Sequence, residues 1–102
     1  MDPDSITEFM IADVVKPIAG RDAGDLFYVI GTDGEYLLLA NGKDRSLEQP
    51  KRKKRKHAKK VLRSDTRVAE KLRAGDKVLN SELRRDLAYF SRELQSNADG
   101  GN

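Results

Sequence analysis

The stretch Val14-Val15-Lys16-Pro17-Ile18-Ala19-Gly20-Arg21-Asp22-Ala23-Gly24-Asp25-Leu26-Phe27-Tyr28-Val29-Ile30 decides the fold. Its first residues complete a short β-rich run, Ile11, Ala12, Val14 and Val15, that ends at Lys16-Pro17, where Pro17 has no N–H for a sheet ladder. A turn segment with two glycines follows, and Leu26 to Ile30 is the strongest strand signal in the chain. Working outward, Thr32-Asp33-Gly34 supplies hairpin chemistry, Tyr36 to Ala40 reads as a third strand, and Asn41-Gly42 reads as a second hairpin turn. Arg45 to Leu47 fits a short fourth strand before Pro50, and a fifth falls near Val61-Leu62. The second and third strands are apolar on both faces, as expected where a small sheet curls around its own core, so a five-stranded barrel is the natural closure.

Beyond the sheet the period changes. Asp65 or Thr66 can cap a short helix carrying Val68, Ala69 and Leu72, with Gly75 as its stop. Leu79, Leu83, Leu87, Phe90 and Leu94 then form one helical stripe, with Asn80 or Ser81 as the cap. The expected organisation is a disordered leader over 1–9, a barrel over 10–63 with a basic loop at 51–60, a helical segment over 64–94 and a disordered tail over 95–102. The fold class is therefore mainly β with α: about five strands, then one or two C-terminal helices.

Composition narrows function. The 102 residues suit one small domain, with 37% apolar and 36% charged residues. There is no Cys, and the one His is His57, which removes disulfides, thiolate zinc sites and a His-based triad. No apolar run approaches the length of a membrane span, and the N-terminus lacks the features of a signal peptide, so a cytoplasmic protein without membrane contact is expected. Carboxylates at Asp13, Asp22, Asp25, Asp33 and Glu35 form no evident acid/base pair, and neither an enzyme, a cofactor, a metal nor a small-molecule substrate is expected.

The net charge of +3 conceals a segregation. Lys51 to Arg63 holds nine Lys or Arg and no acid, so the remainder of the chain is acidic, at −6. Like charges at that density repel, and a polyanion relieves the repulsion while releasing its own counterions. The candidate phosphate ligands are Lys51, Arg52, Lys53, Lys54, Arg55, Lys56, His57, Lys59, Lys60 and Arg63, with Lys16, Arg21, Lys43 and Arg45 extending the patch. Arg21, Arg52 and Arg55 suit bidentate phosphate contacts. Gly20, Asp22 and Gly24 mark a turn whose backbone can approach a phosphate; it is neither a dinucleotide fingerprint nor a P-loop. Phe27, Tyr28, Tyr36, Tyr89 and Phe90 are candidate stacking rings. Of the adjacent Phe27 and Tyr28, one points to the core and the other away from it.

The stretch from Val14 to Ile30 also resembles a KOW motif, in which Gly24 matches the defining glycine, as in ribosomal proteins and NusG-type factors. With Asn41-Gly42-Lys43, Arg45-Ser46-Leu47-Glu48-Gln49-Pro50 and the Lys-rich run to His57, residues 10–63 are similar to bacterial KOW-domain RNA-binding proteins. These are related to large-subunit ribosomal proteins of the L-fourteen-e type. The resemblance implies an SH3-like β-barrel that binds RNA, with ribosomal RNA or the large ribosomal subunit as partner. A monomer is expected. The alternative is a NusG-like protein-interaction module that docks a partner through the barrel or the C-terminal helix.

Overall fold

The computed structural model describes residues 8–21 and 23–100, with side chains to residue 96. Five antiparallel strands, β1 (Asp13–Pro17), β2 (Phe27–Asp33), β3 (Tyr36–Ala40), β4 (Lys51–Lys54) and β5 (Ala58–Arg63), form one sheet in the order β4-β3-β2-β1-β5. A 3-10 turn, Arg55–His57, joins the two edge strands β4 and β5. Two helices follow, α1 (Arg67–Ala74) and α2 (Asn80–Gly100). The expected small barrel of five strands with C-terminal helices is what the chain forms.

Alternation along the strands sorts side chains into two cores. Val15, Phe27, Val29, Leu37 and Leu39 point inward, and Phe9 packs with them. Val14, Tyr28 and Ala40 point the other way and meet Val68, Ala69, Leu83 and Leu87 from the helices. The doubly apolar strands thus arise because helices cover the outer face, a more specific reason than curling alone. Two bulges reinforce this. The register shifts leave Ile30 without a partner opposite β3 and Val61 without one opposite β1. Both extra residues pack against the helix-side core.

Helix boundaries follow from capping. The Thr66 side chain accepts from Ala69 N–H at the start of α1, and Gly75 closes it in the left-handed region at φ 76°, with Asp76 N–H reaching Lys71 O. At the start of α2 neither expected cap operates. Glu82 instead accepts from Leu79 N–H, which, with Lys71 beside it, holds the Glu82 carboxyl below its usual range. Asn80 Oδ1 is occupied by Leu47 N–H, so the side chain that looks like a cap ties the preceding loop to the helix.

Four expectations need correction. Arg45 to Leu47 is not a strand; residues 41–50 form one loop, in which Asn41 Oδ1 accepts from Lys43 N–H and Arg45 N–H. The fourth strand is Lys51–Lys54, so the basic run is not a loop but two strands and a turn. Phe9, assigned to a disordered leader, is 6% exposed and belongs to the inner core. The helix also continues through Gln95 to Gly100 where a disordered tail is expected, because a helix nucleated by packing propagates at one hydrogen bond per residue added. The rest of the leader and tail, 1–7 and 101–102, and Asp22 of the glycine turn lie outside the described residues.

Candidate nucleic-acid interface

A run of nine basic residues adopts strand structure here because the barrel anchors many of its charges. Across the β3–β4 ladder, Lys51 and Lys53 oppose Leu39 and Leu37, so their stems lie on the inner side. Lys53 Nζ reaches Ala19 O at 3.3 Å. Arg55 Nε donates to Gly34 O at 2.8 Å, and its backbone N–H donates to Glu35 O. Arg52 pairs with Asp33 at 2.9 Å. On β5, Lys60 Nζ lies 3.2 Å from Asp13 Oδ2, donates to Glu8 O and sits above the Phe9 ring. Asp13 is 1% exposed and also accepts from Met10 N–H, so Lys60 neutralises a buried carboxylate. Lys51 is engaged as well.

Four further basic residues, Lys16, Lys56, His57 and Lys59, gather where the 3-10 turn meets the end of β1. Ile18 N–H donates to His57 O, and Pro17 pairs with Ala58. Lys16 directly opposes Lys59 on the same face of the ladder. Lys56, His57 and Lys59 are exposed, and Lys16 is half-buried. None of these four has an ion pair among the described residues. Arg21 stands exposed in the neighbouring loop, which Gly24 N–H closes onto Pro17 O and which Lys53 grips at Ala19. Gly20, at φ 91°, has the Lys53 ammonium 3.5 Å from where a Cβ would sit. The glycine turn and the basic hairpin therefore share one edge of the barrel.

Other candidates lie elsewhere. Lys43 and Arg45 belong to the 41–50 loop, and Lys43 lines a groove with Asp25, Asp44 and Arg84. Arg63 sits at the far end of β5, opposite Asp13, with its guanidinium toward Met10 Sδ. Lys54 lies 6.0 Å from the Tyr36 ring, on the outer face.

Neither Phe27 nor Tyr28 is available for stacking. Both are fully buried, one in each core. The Tyr28 hydroxyl lies 2.7 Å from Asp86 Oδ2 and 2.8 Å from Ser64 Oγ, and Thr66 Oγ1 donates to the same carboxylate oxygen at 2.6 Å. Burial pushes the Tyr28 hydroxyl up to about 12. Phe90 meets the Tyr28 ring edge-on at 6.5 Å, while Tyr89 is exposed on α2. Of the candidate stacking rings, Tyr36 is the one that meets the basic hairpin, with the Arg52 guanidinium 4.3 Å above its centroid.

Asp13 and Asp33 are the functional neighbours missed by sequence reasoning. Each reads as an ordinary solvent carboxylate, and their partners Lys60 and Arg52 lie far along the chain. Among the described residues there is no cluster of three potential metal ligands, and no helix is long and apolar enough to cross a membrane. No protein-family model and no curated protein matches the sequence.

Proposed function

We propose that this protein binds RNA through the basic edge of its barrel, with Lys16, Lys56, His57 and Lys59 contacting phosphates and Arg21 reaching the same backbone from the glycine turn. The observation that carries the reading is the Lys16–Lys59 pair. Like charges opposed on an antiparallel ladder are destabilising, and neither lysine has an ion pair among the described residues. A phosphate backbone lying along the edge supplies the missing counter-charge and releases its own cations on binding. Lys53 and Arg55, each held by a backbone carbonyl, add positive potential beside these lysines, while Arg52 and Lys60, each paired with a carboxylate, hold the hairpin in shape.

The KOW resemblance of residues 10–63 supports ribosomal RNA of the large subunit as the partner, and a cytoplasmic location belongs to the same proposal. Phosphate contacts fix position without reading sequence, so recognition rests on RNA shape and on unpaired bases. The test is co-sedimentation with ribosomes across a salt series, beside a variant with Lys16, Lys56 and Lys59 changed to Gln. Wild type should pellet with large subunits at low salt and be released steeply as salt rises, and the variant should stay in the supernatant. If wild type also stays in the supernatant at low salt, ribosome association is wrong. The NusG-like docking reading, with Tyr89 and Leu94 exposed on α2, then replaces it.

A further inference from the structure

Beyond the phosphate-binding edge, the outer face of the β3–β4 pair carries an arrangement that point charges alone do not require. Arg52 opposes Leu38, one diagonal step from Tyr36 on the same face. Its guanidinium stacks over the Tyr36 ring at 4.3 Å, while Asp33 Oδ2 grips its edge through Nη2 at 2.9 Å. The two partners, one from β3 and one from the end of β2, thus hold the guanidinium at its face and at its edge. The Arg52 side chain nevertheless remains 58% exposed. An exposed ion pair of this kind adds little to stability. Its main effect is orientation. Lys54 lies 6.0 Å from the same ring and flanks the platform with a second cation.

Resting on the RNA-binding reading above, we infer that the Asp33–Tyr36–Arg52 cluster is a stacking platform for one unpaired base of a single-stranded RNA segment. The base lies on the open side of the Arg52 guanidinium, and the adjoining phosphate meets Lys54. Guanidinium planes and aromatic rings are the surfaces on which splayed-out bases stack, and the interaction tolerates any base because every base has a π-face. A duplex, whose bases already stack on one another, offers nothing to this platform, so the segment recognised is unpaired.

The test separates stacking from charge. Binding of the full chain is measured to two oligonucleotides of equal length, single-stranded adenylate and an abasic ribose-phosphate chain with the same phosphates. Wild type should prefer adenylate by about five- to a hundredfold, the range of one base–side-chain stack. Arg52→Lys keeps the charge but loses the planar fork. It should lose the preference for adenylate over the abasic chain. Tyr36→Leu, which removes the support beneath the plane, should reduce the same preference while thermal denaturation shows the variant folded. An unchanged preference in Arg52→Lys, or equal binding of both oligonucleotides by wild type, overturns the platform while leaving phosphate binding intact. Failure of wild type to bind either chain at low salt overturns the RNA-binding reading and the platform with it.

Discussion

Lys16 and Lys59 face each other across the β1–β5 ladder, on one side of the sheet, with no carboxylate paired to either among the described residues. A fold selected for stability alone would place opposite charges there. Lys59→Glu is therefore expected to stabilise the free protein, by about 1 kcal/mol or a few degrees in Tm, and to weaken RNA binding at the same time. Thermal denaturation and a binding titration on the same variant check both halves. A variant that loses stability or keeps its RNA affinity contradicts the role given to this pair.

The basic run contains residues of two kinds, and substitution should separate them. Lys60→Met removes the cation beside Asp13, which is 1% exposed, and leaves that carboxylate with the Met10 N–H alone. The expected cost is about 2 kcal/mol of stability, measured by denaturant unfolding. Lys56→Gln, which removes an exposed side chain with no ion pair among the described residues, should leave stability within about 0.5 kcal/mol and lower RNA affinity.

Tyr28 makes folding stability depend on alkaline pH. Its hydroxyl ionises near 12 in the folded chain and near 10.0 when exposed, so the unfolded state releases the proton first. The contribution is complete below about pH 10 and is lost as pH rises toward 12, where the loss amounts to about 2 kcal/mol. Tyr28→Phe should be less stable at neutral pH, since Asp86 loses a donor, and should show a smaller decline than wild type between those limits. Equilibrium unfolding of both proteins across that range checks the sign.

Gly42 sits at φ 75° with the Asn80 carbonyl 2.2 Å from where a Cβ would stand, so any side chain forces the 41–50 loop off α2. Gly24, at φ 94°, has open space around it. Gly42→Ala should cost several kcal/mol and Gly24→Ala about 1–2 kcal/mol from backbone strain alone, an order that paired Tm measurements establish. The glycine that resembles a family signature is thus the more tolerant of the two.

The apolar strands β2 and β3 and both helices are legible in the sequence because their hydrophobic periods are strong, as in Leu26 to Ile30 and the stripe from Leu79 to Phe90. Strand β4 is not legible. Lys51 to Lys54 holds no apolar residue, Lys is depleted in strands, and the strand exists because its stems and charges find Leu37, Ala19 and Asp33 across the fold. The same limit applies to the site. Local composition marks the basic segment, but its division into anchoring and free cations depends on pairings such as Asp13–Lys60, 47 residues apart, that no local pattern encodes. Tyr28 illustrates the reverse error: an aromatic on a strand reads equally well as core or platform until the partners Ser64, Thr66 and Asp86 converge on it.

The most direct test of the central claim is the salt dependence of affinity for a short single-stranded RNA. It compares wild type with the variant carrying Gln at positions 16, 56 and 59, from about 50 to 200 mM monovalent salt. Each phosphate contact on a single strand contributes roughly 0.7 to the slope of log affinity against log salt. Removing three cations should flatten that slope by about two and weaken binding most at low salt. Equal slopes for the two proteins, or no binding by wild type at low salt, would contradict the assignment of these lysines to a phosphate backbone.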